Sequence, residues 1–278
     1  MARESHKDSC GLFSMPYQMM AFAVPPTKQI DFSLEINEDF PSWSMEDAIQ
    51  VYGSKEHSNP TYIYKNPDGS FELFCHGRED ELQLAFHTSS TWDSYILHSY
   101  IRDLDSNELF LRLFHMYSYG MIYHNALMLH GVVMEYEGKG YIISAASGTG
   151  KSTHARMWRN HENALILNGD KALVRYENGS WFAYGAPWYG TSGECINRKV
   201  PLAALVMLDR GEHNEICKEN TLWKISRLLE RIYAPTFDVR TFETAMNTVE
   251  SLVAGIPVIH LKCLPDLDSV ALLKKEIK

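Results

Sequence analysis

The sequence predicts an α/β chain: a mixed-sheet C-terminal domain built around a phosphate-binding-loop (P-loop) motif, preceded by a smaller β-rich, α+β region. Three observations lead there. Short alternating runs broken by turn residues fill the first hundred residues. From Leu127 onward, buried-strand runs alternate with helical patterns. Between one of those strands and a helix start lies Ser147-Gly148-Thr149-Gly150-Lys151-Ser152.

In the N-terminal region, alternating runs at 62–64 and 71–74 flank Asn66-Pro67-Asp68-Gly69, a strong hairpin turn. Ser106 then opens a helix to about Tyr123, with Leu109, Phe110, Leu113, Phe114 and Tyr117 on one apolar stripe. The expected division is 1–104 for the β-rich region and 105–278 for the second domain, with the helix 106–123 leading it.

Beyond Leu127, strands are expected at 132–134 and 141–144, joined by Glu137-Gly138-Lys139-Gly140. A helix starts at Ser152, and Ala164-Leu165-Ile166-Leu167 reads as a short buried strand. A hairpin, 172–176 with 181–184, turns over Asn178-Gly179. A buried strand follows at 202–208, then helices at about 221–233 and 241–254, a strand at 258–261 and a closing helix at 269–277.

Composition narrows the function classes. The 278 residues are 45% apolar, enough for a substantial core, and carry a formal charge of −9. That balance argues against a nucleic-acid partner, which calls for a basic face, but leaves room for a local basic pocket holding phosphates. The five cysteines (Cys10, Cys75, Cys195, Cys217, Cys263) are scattered and form no C-x-x-C pair. Their spacing argues against a disulfide framework and a cysteine-based zinc site, and no H-E-x-x-H spacing is present. A polar segment from Met1 to Gly11, with no run near ~18 apolar residues, leads to the expectation of a cytoplasmic protein without a membrane partner.

The glycine-rich run carries the chemistry. Gly148 and Gly150 let the backbone curl so that the amides of Ala146, Ser147, Gly148, Thr149 and Gly150 point at phosphate oxygens. The helix N-terminus at Lys151, Ser152 and Thr153 adds its positive dipole end. Lys151 reaches the β- and γ-phosphates, and the Ser152 hydroxyl is placed for Mg²⁺. The usual pattern has glycine where this chain has Ala145, a replacement strained if its φ were positive. After the next strand comes Asn168-Gly169-Asp170-Lys171. Asp170 at a strand end is a candidate for holding Mg²⁺ and for accepting the proton of an attacking hydroxyl; the same string is also good turn chemistry. Lys171 reads equally as a solvated lysine or a phosphate ligand.

His130-Gly131-Val132-Val133-Met134, then Gly138-Lys139-Gly140, Ile143 and the loop itself keep the register of a known family. Over about 127–210 the chain resembles the HPr kinase/phosphorylase family, with a loop also similar to ATP-dependent phosphoenolpyruvate carboxykinase. The fuller string over Ser147–Trp158, Leu167–Ala172, Gly185–Gly193 and Pro201–Leu208 resembles an HPr-kinase-like subgroup of uncharacterised bacterial proteins, some of which accompany ribosomal-peptide maturation systems. The resemblance implies ATP and Mg²⁺ as cofactors and His130 near the γ-phosphate. It also implies two adjacent acids where this chain has Gly169 and Asp170. The implied catalytic set is Asp170, His130 and Lys151.

The loop Gly185-Ala186-Pro187-Trp188-Tyr189-Gly190-Thr191-Ser192-Gly193-Glu194 is rich in small residues and suits an active-site cover. Within and after it, Trp188, Glu194 and Arg198 are candidates for substrate contact; Arg210 and His154 are weaker ones. The expected function is a kinase moving the γ-phosphoryl group of ATP to a hydroxyl of a peptide, protein or small molecule. The alternative is a non-catalytic nucleotide-binding regulator accessory to peptide maturation. A carboxykinase role lacks its Lys/His/Asp metal set, and the longer signature for phosphorolysis is absent after Gly193. ATP, GTP or pyrophosphate, the acceptor and an oligomeric state are left open.

Overall fold

The computed structural model describes Met19, Phe22 and residues 31–37, 45–54, 60–100 and 106–277. The expectations for Met1 to Gly11, for Cys10 and for a boundary at 104/105 lie outside those residues. The protein is mixed α/β, and its contacts divide it into two units: residues 1–123 with 234–242, and residues 124–233 with 243–278.

The first unit holds a six-stranded sheet in the order β1-β6-β5-β4-β3-β2. Its strands are β1 (Ser33–Asn37), β2 (Ile49–Ser54), β3 (Thr61–Lys65), β4 (Phe71–His76), β5 (Leu82–Thr88) and β6 (Ser94–Ser99). Neighbours are antiparallel except β1 with β6, so the sheet is mixed. The turn between β3 and β4 forms as its residues dictate. Gly69 takes φ +88°, and the Asp68 carboxylate accepts from both the amide and the hydroxyl of Ser70. Helix α1 (Ser106–Ile122) belongs to this unit and buries Leu109, Phe110, Leu113 and Phe114.

The second unit carries the candidate site. Its eight strands are β7 (Ala126–Tyr136), β8 (Lys139–Ser144), β9 (Leu165–Asn168), β10 (Lys171–Glu177), β11 (Ser180–Tyr184), β12 (Lys199–Arg210), β13 (Glu215–Cys217) and β14 (Val258–Cys263). They run β11-β10-β7-β8-β12-β14-β13, with β9 on β7 and β11 also on β12. Strand β12 pairs in parallel with β8 and β14, and the other pairs are antiparallel, so this sheet is mixed too. The unit's helices are α2 (Lys151–Glu162), α3 (Thr221–Leu229) and α5 (Leu267–Glu276), while α4 (Val239–Gly255) has residues 239–242 in the first unit and 243–255 in the second.

Both hairpin turns use left-handed pairs, Glu137-Gly138 (φ +50° and +75°) and Asn178-Gly179 (φ +50° and +84°), as two-residue turns require. Helices α2 and α5 bury Ala155, Trp158, Val270 and Leu273 against Val132, Met134, Ile143, Val206 and Leu261 of the sheet. That layer fixes where α2 begins, and so where the glycine loop sits. Helix α3 is shorter than the sequence suggests. It ends at Leu229 because residues beyond it bond to β7 instead: the His130 amide donates to Arg231 O at 2.8 Å, and Leu129 bridges Ile232.

Candidate active site

Strand β8 ends at Ser144, residues 145–150 form a loop, and α2 starts at Lys151. Gly148 (φ +75°) and Gly150 (φ +123°) supply backbone angles that side chains resist. Ala145 has no positive φ and is buried at 2% exposure, so the alanine is accommodated without strain. At the start of α2, Gly150 gives no side-chain cap and no acid lies in the first turn. The helix therefore presents uncapped amides and the positive end of its dipole to the loop. Arg210 steadies the loop from β12 by donating to Gly148 O at 2.6 Å.

Lys151 points back under the loop. Its ammonium lies 2.8 Å from His130 Nε2 and donates to Ala145 O at 3.2 Å. Burial lowers the Lys151 pKa, opposed by the charge of Asp170. His130 occupies the point where β7 leaves β10 and joins β8, and Ser144 Oγ bonds its carbonyl at 2.7 Å. Burial first, then the Lys151 charge, pulls the His130 pKa below its ordinary 6.5. A neutral ring accepting from Lys151 at Nε2 carries its proton on Nδ1. That nitrogen is 3.4 Å from Asp170 Oδ1 and 3.5 Å from the Tyr233 hydroxyl. On the other side of the carboxylate, Lys171 Nζ is 3.1 Å from Asp170 Oδ2 and bonds Tyr233.

Asp170 is held by Asn168, which in sequence reads only as a turn residue. Asn168 is fully buried, and its Oδ1 accepts from the amides of Asp170 (2.9 Å) and Lys171 (2.7 Å). Its Nδ2 donates to Ala186 O (2.7 Å) and Trp188 O (2.9 Å). One amide side chain thus locks the acid-bearing turn to the Pro-Trp loop. Gly169 is equally determined: a Cβ there would meet Ser192 Oγ at 1.9 Å. A side chain at 169 requires the exposed Ser192 to move.

Ser152, Asp170 and Glu194 line one cavity of about 390 Å³ with Arg156, Arg159, Gly169, Tyr189, Thr191 and Ser192. Ser152, Arg156 and Arg159 follow i, i+4, i+7 spacing on α2, a stripe visible in the sequence once the helix start is fixed. Glu194 pairs with Arg159 at the rim. Trp188 is buried at 6% exposure, with its backbone oxygen serving Asn168. Arg198 pairs with Glu135 at 2.7 Å and does not line the cavity. Thr153 is exposed on the first turn of α2, and His154 is buried with both ring nitrogens unpartnered.

A glycine loop at a helix start, with an acid and a hydroxyl on one cavity wall, defines a mixed α/β protein with a candidate anion-binding cleft. No protein-family model matches the chain. No curated protein matches it either. Among solved structures it is similar to the HPr(Ser) kinase/phosphatase from Coxiella burnetii, at 12% identity and a TM-score of 0.27. That similarity covers 34% of this chain and 66% of the other. Among the described residues, no helix is long and apolar enough to cross a membrane.

Proposed function

We propose that the protein is an ATP-dependent kinase that transfers the γ-phosphoryl group to a hydroxyl. The observation that carries this reading is the convergence of Ser152, from the start of α2, and Asp170, from the turn between β9 and β10, on one cavity beside uncapped helix amides. The donor set fits a magnesium–nucleotide complex. Backbone amides and Lys151 match phosphate oxygens, while hydroxyl and carboxylate oxygens suit a hard cation.

In this account the amides of residues 146–153 bind the β- and γ-phosphates. Lys151 leaves His130 Nε2 to bond the phosphate oxygens. Ser152 and Asp170 would hold Mg²⁺, which would supply positive charge against the phosphates. Asp170 also receives the proton of the incoming hydroxyl, with His130 Nδ1–H and Lys171 on either side of its carboxylate. Glu194, the other carboxylate on the cavity wall, supplies the second acid that position 169 cannot. Arg156 stabilises negative charge on the group in transit, while Arg159 holds Glu194.

One observation favours a second reading, a nucleotide-binding regulator without catalysis: Gly169 packs on Ser192, leaving Asp170 alone at the strand end. Turnover of labelled ATP against peptide, protein and small hydroxyl acceptors separates the two. The kinase reading expects phosphoryl transfer that Asp170→Asn abolishes. Tight Mg-ATP binding with no transfer to any acceptor and no slow hydrolysis supports the regulator instead.

A further inference from the structure

Away from the cleft, β12, β13 and β14 bring a second set of polar groups onto one sheet face. Cys217 on β13 stands directly opposite His260 on β14, and Met207 on β12 is the partner of His260 on its other side. Because strand side chains alternate, Asp209 shares the face of Met207. Glu219 follows Cys217 by two residues. Asn220 then caps α3 by accepting from the Trp223 amide at 2.9 Å, which starts the helix directly above.

His260 is only 4% exposed and tightly held. The Trp223 ring stacks on it at 4.4 Å and 28°. Its Nε2 lies 3.1 Å from Asp209 Oδ2, and that carboxylate is fixed by Arg227 at 2.6 Å. Its Nδ1 lies 2.7 Å from Glu219 Oε1. Both ring nitrogens therefore face a carboxylate oxygen, Nε2 that of Asp209 and Nδ1 that of Glu219. The Cys217 thiol, the Glu219 carboxylate and the His260 ring place their ligand atoms within 4.8 Å of one another.

We propose that Cys217, Glu219 and His260 form a zinc site, separate from the nucleotide cleft. One sulfur, one imidazole nitrogen and one carboxylate oxygen are the donors zinc takes, whereas magnesium and calcium take oxygen alone. Tetrahedral bonds of about 2.0–2.3 Å put donors roughly 3.5 Å apart, so Glu219 draws back from its 2.7 Å contact with Nδ1 to admit the ion, within a cluster whose ligand atoms lie no more than 4.8 Å from one another. Three protein donors leave a fourth position for water. Asp209 on Nε2 supplies the outer carboxylate that orients a zinc-bound histidine and sets its tautomer. Binding the metal displaces the Cys217 thiol proton to solvent; nothing is oxidised or reduced.

The test uses the full chain, stripped with chelator and titrated with Zn²⁺ against a chromophoric competitor, with Co²⁺ as the spectroscopic probe. One zinc per chain and a thiolate-to-cobalt charge-transfer band are expected. Cys217→Ser should remove the band, and Glu219→Gln should weaken zinc. Asp209→Asn should weaken it by about 10–100-fold. Asp170→Asn should change none of these. Circular dichroism of each metal-free variant separates lost binding from lost folding, and the wild-type cobalt spectrum needs no variant. A wild-type chain that takes up no zinc, because a proton alone fills the position, overturns the proposal. So does zinc bound equally by Cys217→Ser, or lost with Asp170→Asn.

Discussion

The Lys151 ammonium lies 2.8 Å from Nε2 of His130, tying the first residue of helix α2 to the middle of strand β7. The contact gives the lysine a partner within the fold. It also helps keep the histidine neutral, because a second positive charge at that distance is disfavoured. His130 and Asp170 are in turn linked through Nδ1, so loop, strand and acid form one chain of polar contacts.

Replacing Lys151 by methionine should raise the titration midpoint of His130. Burial and the Lys151 charge both lower that pKa, and only the Asp170 charge among its larger influences raises it. Removing the lysine deletes one depressing cause and leaves the opposing one. Histidine ring NMR signals followed against pH report the shift. An unchanged or lower midpoint would mean the contact does not exist in solution.

Gly169→Ala should destabilise the chain by about 1–3 kcal/mol, the usual range for forcing a methyl group into packed structure. The added Cβ would sit 1.9 Å from Ser192 Oγ and 2.5 Å from Ser192 Cβ. Ser192→Gly removes both atoms, so the double variant should recover most of the loss. Urea unfolding of the four proteins in a double-mutant cycle measures the coupling. Additive effects would contradict the packing described.

Asn168→Ala should cost on the order of 3 kcal/mol, since it leaves two half-buried amides and two buried carbonyls short of a partner. Asp170 and the Trp188 loop should loosen together, so Mg-ATP affinity falls along with stability. Chemical denaturation and nucleotide titration of the same preparation read both. A stability loss with unchanged affinity would separate Asn168 from the site.

The buried His154 should make the protein sensitive to acid. Burial brings its pKa from 6.5 down to about 4, and neither ring nitrogen has a partner. The neutral form is the folded form. Its stability is complete above the unfolded pKa and declines as pH falls toward the folded one. Across that window the loss is about 3 kcal/mol. His154→Leu should flatten this part of the stability profile between pH 7 and pH 4. An identical profile would place the acid sensitivity elsewhere.

Much of this was legible because the signals are local. The glycine run, the Asn-Gly and Glu-Gly turns and the alternating runs around 62–74 each specify geometry within a few residues, and the strands and helices formed on them. What was hidden depends on contacts distant in sequence. Asn168 reads as a turn residue, and only the fold shows its amide reaching Ala186 and Trp188. Gly169 looks like a lost acid until Ser192 is seen against it. Strand β13 is three residues long, too short for a period. With it, the meeting of Cys217 and His260 escapes any spacing rule, which is why the cysteine pattern alone argues against zinc. Trp188 is a candidate for substrate contact by sequence, whereas its side chain is buried.

Calorimetric titration of Mg-ATP into the wild-type chain and into Lys151→Met tests the central claim most directly, namely that residues 145–153 grip a magnesium-bound polyphosphate. The expected result is one site per chain, with affinity at least about tenfold weaker in the variant, or 1.4 kcal/mol or more. No heat and no thermal shift with the wild-type protein, for either Mg-ATP or Mg-GTP, would contradict it. Equal affinity in the two proteins would do the same.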